Sequence, residues 1–134
     1  GNVGTLLRTA AALGVAATLV LPGTADPWNA KVVRSGVGIQ FKHRTIDCTE
    51  EALLAFLSRH DVRLWGAAAA GRPIDGVVPP ARLALAMGNE GAGLKPSLRD
   101  ACAELVALPM TPGVESLNVS VAAGIALYAL RPRA

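Results

Sequence analysis

The sequence of 134 residues is poor in cysteine, in histidine and in aromatic rings. Cys48 and Cys102 do not form a CxxC pair, so they fit neither a zinc site nor a disulfide scaffold and indicate a reducing compartment. His43 and His60 stand alone without metal-ligand spacing, and we therefore expect no metal. Aromatic residues make up 4% of the chain, which argues against a platform on which successive bases of a single strand stack.

Membrane-spanning runs and the common catalytic signatures are also missing. The longest uncharged stretch, between Arg8 and Asp26, is interrupted by Gly14 and Pro22 and falls short of the roughly 20 apolar residues of a membrane span. The surroundings of Ser116 are not a GxSxG nucleophile elbow. Neither the GxGxxG motif nor the P-loop motif occurs, which is a direct objection to a Rossmann-like enzyme of small molecules.

The remaining composition is that of one folded domain. Hydrophobic residues make up 51% and charged residues 17% of the chain, which is sufficient for an apolar core and excludes disorder. The formal net charge of +3 is a mild preference for anionic partners. Most of the positive charge is arginine, whose planar fork suits phosphate, although a GC-rich coding sequence produces the same excess without functional meaning.

Helical and strand patterns alternate along the chain, which indicates an α/β domain with a mostly parallel sheet covered by helices on both faces. Ligands of such sheets bind at the carboxyl ends of the strands, so the loops after Leu21, Met87 and Leu108 are the informative ones. Gly14 is expected to end the first helix and Thr49 to cap the third. The patterns predict helices over 5–13, 29–35, 49–59, 95–103 and 116–130, strands over 16–21, 62–68, 83–87 and 105–108, and a surface connection over 71–80.

Two segments place a charged side chain in unusual surroundings. Residues 2–10 hold Arg8 within a predicted core helix, although arginine is rarely buried unless it is paired. A solvent-facing position on an amphipathic helix is the plain interpretation. Residues 85–93 form a strand end followed by a glycine-rich turn with a single carboxylate, Glu90, for which a tight structural turn is the plain interpretation.

A third segment, residues 108–120, places Ser116 and Asn118 at the predicted start of the last helix, where backbone N–H groups are free. Capping of the helix explains Ser116. It explains Asn118 less well, because asparagine is a weak helix former within the first turn. No one of the three segments decides a function by itself.

In their order and spacing the three segments resemble the motifs of the SpoU-type RNA ribose 2′-O-methyltransferases of the SPOUT class. Residues 2–14 resemble the first motif, 83–94 the second and 106–128 the third. The DPWN and KVVR sequences within residues 26–34 also resemble the segment between the first two motifs. The resemblance therefore covers nearly the whole chain.

The resemblance implies a domain that binds S-adenosylmethionine, has a deep C-terminal trefoil knot and forms a homodimer. True knots are so rare that pattern reasoning alone would not give one. The implied activity is methylation of a ribose 2′-hydroxyl in rRNA or tRNA. By position, the family's catalytic residues match Arg8, Glu90, Ser116 and Asn118, and its cofactor-binding residues match Gly88, Asn89, Gly91, Leu108, Met110 and Leu117.

The role of the matched arginine needs a physical correction. The family's arginine is often described as a general base, but a guanidinium with a pKa above about 12 resists deprotonation. Our hypothesis is that Arg8 clamps an RNA phosphate and stabilises the developing alkoxide, while the proton leaves to a phosphate oxygen or to water. Glu90 is expected to orient Asn118 or Arg8.

We treat residues 1–134 as one methyltransferase domain that lacks the family's first strand and any upstream RNA-binding domain. The loss of that strand would leave the apolar face of the last helix more exposed, which favours burial in a dimer. We expect a cytoplasmic location, or an organelle if a targeting segment preceded Gly1. The alternative function is that of a non-catalytic relative which keeps affinity for RNA or cofactor.

Overall fold

The computed structural model describes residues 2–89 and 91–132, and in these ranges helices and parallel strands alternate. Two short 3-10 helices, Ile39–Phe41 and Ile74–Gly76, lie between the main elements. The main elements are α1 (Asn2–Ala12), β1 (Thr18–Val20), α2 (Ala30–Ser35), β2 (Thr45–Asp47), α3 (Glu50–Arg59), β3 (Arg63–Pro73), β4 (Leu83–Ala86), α4 (Pro96–Ala101), β5 (Glu104–Ala107) and α5 (Val119–Leu130).

The strands form two groups with parallel pairing throughout the described ranges. β1 pairs with β2, and β3 lies between β4 and β5. The pairing of β3 with β5 contains a bulge, because Ala67 and Arg72 both lie opposite Val106. The predicted α/β class with a parallel sheet is therefore confirmed.

Alternate residues of β3 point to opposite layers of helices, as the pleat of a strand requires. Leu64 packs into a cluster with Leu53 and Leu57 of α3 and Leu98 of α4. Trp65, the next residue, packs with residues of α5, among them Ala126. Helices therefore cover both faces of the three-stranded sheet β4-β3-β5, which we call the central sheet, as the sequence predicts.

α1 packs between α5 and α2 through small residues. A Cβ atom on Gly4 would lie 2.5 Å from the carbonyl oxygen of Val32 in α2, and one on Gly124 of α5 would lie 3.2 Å from Cγ2 of Thr9. Leu7 of α1 is completely buried. The absence of side chains at the two glycines thus sets how closely the three helices approach.

Several helix ends lie where the sequence predicts them. Gly14 has a φ of +81°, the left-handed conformation that ends a helix, just after α1. Asn29 caps α2 by accepting a hydrogen bond of 2.8 Å from the N–H of Lys31. Thr49 caps α3 by accepting one of 3.1 Å from the N–H of Ala52.

Other predicted boundaries were wrong. β2 was missed, and β3 continues to Pro73, so the first part of the predicted surface connection over 71–80 is strand and 3-10 helix. The helix predicted over 95–103 ends at Ala101. The last helix begins at Val119 rather than at Ser116, and Asn118 is its capping residue. No helix in residues 2–89 and 91–132 is both long enough and apolar enough to cross a membrane.

Candidate functional site

The loops after β4 and β5 begin at the same edge of the central sheet. Gly66 of β3 lies opposite Ala86 of β4 on one side and Leu105 of β5 on the other, so the two strands run level with each other. Two strand spacings separate them by about 10 Å. The loops that follow are therefore neighbours at the carboxyl ends of the strands, where the sequence places a ligand.

The loop after β4 is a tight turn closed by backbone hydrogen bonds. The N–H of Gly93 donates to the carbonyl of Asn89 at 3.0 Å, and the N–H of Asn89 donates to the carbonyl of Gly93 at 3.3 Å. Gly91 has a φ of +78°, and a Cβ on Gly88 would lie 2.5 Å from the carbonyl oxygen of Gly93. The turn can therefore close only because Gly88 carries no side chain. Glu90 lies outside the described residues.

Below this turn, the missing side chain of Gly66 makes room for the chain that leaves it. A Cβ on Gly66 would lie 2.7 Å from Cδ1 of Leu94 and 2.9 Å from Sγ of Cys102. Leu94 is buried. The end of the turn is therefore held against the middle strand of the sheet.

The loop after β5 presents apolar side chains and backbone donors to its surroundings. Leu108 is half-buried, whereas residues 109–118 are all exposed. Met110 and Leu117 are 37% and 39% exposed, so this loop carries two apolar side chains that reach solvent. The N–H groups of residues 115–117 donate to no acceptor in the described part of the chain. The loop therefore offers both an apolar wall and hydrogen-bond donors.

Asn118 joins the start of α5 to the start of α1. Its Oδ1 accepts hydrogen bonds from the N–H of Ser120, at 2.9 Å, and from the hydroxyl of the same residue. Its Nδ2 donates a bond of 2.9 Å to Oδ1 of Asn2. Asn2 was missed as a candidate site residue, although it opens the segment that resembles the first motif. Ser116 is exposed and lies two residues before the cap, so its predicted capping role was wrong.

Arg8 lies on the same helix as Asn2 and points away from the core. It follows Leu7, which is fully buried, but is itself exposed and makes no ion pair or hydrogen bond with residues 2–89 or 91–132. Six residues of helix place Arg8 about 9 Å from Asn2 along the axis. A cation in this position can receive an anionic group from solvent.

The model of the SpoU rRNA methylase family matches residues 1–128 of the chain. The chain belongs to the SpoU family. A 23S rRNA guanosine-2′-O-methyltransferase of Bacillus subtilis is 36% identical over 132 residues, which cover 98% of this chain and 53% of the relative. A 23S rRNA adenosine-2′-O-methyltransferase of Streptomyces laurentii is 35% identical over 96% of this chain and 48% of the relative. This SpoU chain thus spans about half the length of the curated relatives it matches.

Solved SpoU structures superimpose closely on this chain. The methyltransferase AviRb of Streptomyces viridochromogenes, in complex with AdoMet, gives a TM-score of 0.90 at 28% identity over 96% of this chain and 51% of that chain. An AdoMet-bound rRNA methyltransferase of Sinorhizobium meliloti gives 0.88 at 29% identity over 96% of this chain and 50% of that chain. The SpoU fold therefore extends over nearly all of residues 1–134.

Two cysteines and one histidine of this SpoU chain have shifted pKa values, and none of the three supplies a nucleophile. Burial raises the pKa of the Cys102 thiol, and burial followed by the charge of Asp47 raises that of Cys48, so both thiols stay protonated. Burial lowers the pKa of His43, whose Nε2 lies 2.8 Å from Oγ1 of Thr18. The described ranges hold no group of three or more side chains suited to a metal ion.

Proposed function

We propose that this chain binds S-adenosylmethionine and transfers its methyl group to a ribose 2′-hydroxyl of rRNA or tRNA. The observation that carries the proposal is the hydrogen bond between Asn118 and Asn2, which joins the segments that resemble the third and first motifs. The glycine turn after β4 begins at the same sheet edge as the loop that leads to Asn118. Family membership and the names of the relatives support the same activity.

The residues at the sheet edge fit this methyl donor. Leu108, Met110 and Leu117 supply apolar surface for its adenine and for the carbon chain of its methionine part. The N–H groups of residues 115–117, which have no acceptor among the described residues, suit its ring nitrogens and carboxylate. Gly88 lets the backbone of Gly93 pack against it, and this packing sets the shape of the turn that would face the donor. Asn89 and Gly91 complete the proposed binding turn. The bound donor supplies an electrophilic methyl group.

Arg8 acts on the incoming nucleotide in this proposal. Its exposed guanidinium binds a phosphate beside the target ribose through two parallel N–H donors and stabilises negative charge as it develops on the 2′-oxygen. The proton leaves to a phosphate oxygen or to water, since the guanidinium itself stays protonated. Asn118 and Ser116 position the ribose or the clamp, and Glu90 orients one of these groups.

A homodimer is part of the proposal because α5 leaves an apolar stripe uncovered. Val121, Ile125 and Tyr128 are 51%, 47% and 57% exposed, and their spacing places them on one face of the helix. The opposite face of α5 is buried against the sheet and α1 through small residues such as Ala123 and Ala126. The proposed partner for the stripe is a second copy of the chain.

The proposal includes a C-terminal trefoil knot and a location where RNA is modified. The knot would pass the segment after β5 through an earlier loop, and the superposition on SpoU structures over nearly the whole chain supports it. A cytoplasmic or organellar site of action remains our expectation for an RNA-modifying enzyme.

Two measurements test the function in sequence. Titration calorimetry with S-adenosylmethionine is expected to show binding, and transfer of a tritiated methyl group to bulk rRNA or tRNA is expected to label the 2′-oxygen after digestion to nucleosides. Label on a base would contradict the proposed chemistry. Binding of the donor without any transfer would favour the alternative, a non-catalytic relative that retains the cofactor site.

A further inference from the structure

Two exposed aromatic rings lie against each other on the surface near α2. The ring centroids of Trp28 and Phe41 are 5.3 Å apart with planes at 74°, an edge-to-face pair. Trp28 is 49% and Phe41 75% exposed. A Cβ on Gly38 would lie 3.6 Å from Cδ2 of Phe41, so the phenyl ring lies near the backbone there as well as beside Trp28. This pair, which we call the aromatic pair, is an exposed apolar surface.

Two hydrogen bonds hold the backbone around the aromatic pair. The buried amide of Gln40 donates a hydrogen bond of 2.7 Å to the carbonyl of Pro27. The carboxylate of Asp26 accepts one of 3.0 Å from the N–H of Trp28. The backbone that carries both rings is therefore tied down by hydrogen bonds, which lowers the entropic cost of placing a ligand on the rings.

Positive charge is concentrated in the same segment. Residues 27–46 hold four of the 13 lysines and arginines of the chain and none of its 10 aspartates and glutamates. The rest of the chain carries one more acidic than basic residue, so this segment accounts for the whole net positive charge. Lys31, Lys42 and Arg44 are all exposed. An excess of arginine that only reflected composition would be spread evenly along the chain. The positive charge of this chain is instead clustered in one segment.

A basic depression is lined by the residues that follow the aromatic pair in the chain. Lys42, His43 and Arg44, which directly follow Phe41, line an open depression of about 540 Å³ beside the end of α1. α2, which begins next to Trp28, packs on α1, the helix that carries Arg8. The segment that carries the aromatic pair is therefore joined through α2 to the helix that carries Arg8.

We propose that the aromatic pair, together with Lys31, Lys42 and Arg44, binds an unpaired stretch of RNA next to the target nucleotide. A base stacks on the exposed surface of the pair, and the neighbouring phosphates bind at the lysines and the arginine. The inference rests on the proposed function for the identity of its partner. It requires single-stranded RNA because a paired base has no free face for the rings.

The test measures the affinity for a short unstructured RNA by fluorescence anisotropy, with a duplex of the same length as the second ligand. Phe41→Ala is expected to lower the affinity for the single strand about tenfold and to leave the duplex nearly unaffected. Phe41→Trp is expected to restore it. The matched control is Phe56→Ala, which removes a 53% exposed ring on α3 outside the surface and is expected to change neither affinity.

The charged part of the surface has a separate signature. Replacing both Lys42 and Arg44 by alanine is expected to lower the slope of log K against log salt concentration by about 1.4, two phosphate contacts to a single strand. Replacing Arg59, an exposed cation on α3, is expected to leave the slope unchanged. RNA is also expected to quench the emission of the exposed Trp28, and Trp28→Phe to abolish that quenching.

Wild-type affinity of Phe41→Ala for the single strand would overturn the inference, as would an equal loss for single strand and duplex. A change from dimer to monomer in that variant with RNA affinity unchanged would assign the surface to a second copy instead. Failure of the proposed function is seen independently, as absence of donor binding or of methyl transfer in the wild-type chain. Single-strand binding that depends on Phe41 would stand even then.

Discussion

The Nδ2 atom of Asn118 donates a hydrogen bond of 2.9 Å to Oδ1 of Asn2, a residue 116 positions earlier in the chain. The same side chain caps α5 through the N–H of Ser120. One asparagine therefore both begins a helix and fastens that helix to α1. These two tasks can be separated by substitution.

Asn118→Ala is expected to lower the free energy of unfolding by about 1 kcal/mol, because the cap of α5 is lost. Asn118→Ser keeps an acceptor for the cap but is too short to reach Asn2, so it is expected to retain most of the stability while losing methyl transfer. Urea denaturation and a tritium transfer assay measure the two effects. The control is Asn29→Ala, which removes the cap of α2. Full activity in Asn118→Ser would show that the bond to Asn2 is dispensable.

Arg8→Lys is expected to fold normally, because the side chain is exposed, and to lower kcat about 100-fold. An ammonium cannot reproduce the paired N–H donors of a guanidinium. Steady-state kinetics over a range of pH measure the effect, with Arg59→Lys on α3 as the matched control. A lysine variant with most of the wild-type rate would eliminate the planar clamp.

Gly88→Ala is expected to abolish binding of S-adenosylmethionine, since its methyl group would collide with the backbone of Gly93 and deform the turn. Gly76→Ala is the control, because a Cβ there meets no atom within 4 Å and the backbone has no positive φ. Titration calorimetry with S-adenosylmethionine measures the affinity of both variants. Undiminished binding in Gly88→Ala would place the donor elsewhere.

Ile125→Glu is expected to convert the proposed dimer into monomers, because an unpaired carboxylate in an apolar interface costs several kcal/mol. Sedimentation equilibrium of the variant beside the wild type measures the change. Phe56→Glu places the same charge on the exposed face of α3 and is expected to leave the association unchanged. A variant at Ile125 that still dimerises would show that the interface does not include this stripe.

The stability of the fold is expected to fall as the pH drops below about 6.5, the ordinary pKa of histidine. Burial lowers the pKa of His43 in the folded state, so the unfolded chain binds the proton first and protonation favours unfolding. The contribution of neutral His43 to the free energy of unfolding is fully present above this ordinary pKa. Urea midpoints at neutral pH and at about pH 5 are expected to differ less in His43→Gln than in the wild type. His60→Gln, at an exposed position, serves as the control.

The sequence predicts helices well where a local cap or stop is present. Thr49 and Gly14 act within their own turns, so their effect can be read without tertiary information. β2 could not be found in this way, because Ile46 and Asp47 are exposed and a strand of three residues shows no alternation. The extension of β3 through Arg72 depends on pairing with Val106 of β5, which is a contact between distant segments.

The candidate site was predictable in part for the same reason. The glycine turn and the loop after β5 follow from the rule that ligands bind at the carboxyl ends of parallel strands. Capping by Asn118 rather than by Ser116 was not predictable, since both are good capping residues and the bond from Asn118 to Asn2 joins distant segments of the chain. The roles assigned to Arg8 and to the donor-binding loops came from the family resemblance and stay predictions.

Gly66 lies in β3, the middle strand of the sheet, and Leu94 occupies the space that a side chain at this position would need. Any larger residue at this position would push Leu94 outward and tilt the glycine turn above it. A substitution in the interior could thus weaken a ligand that it never touches. Screens for loss of activity in this chain should accordingly include the middle strand as well as the surface loops.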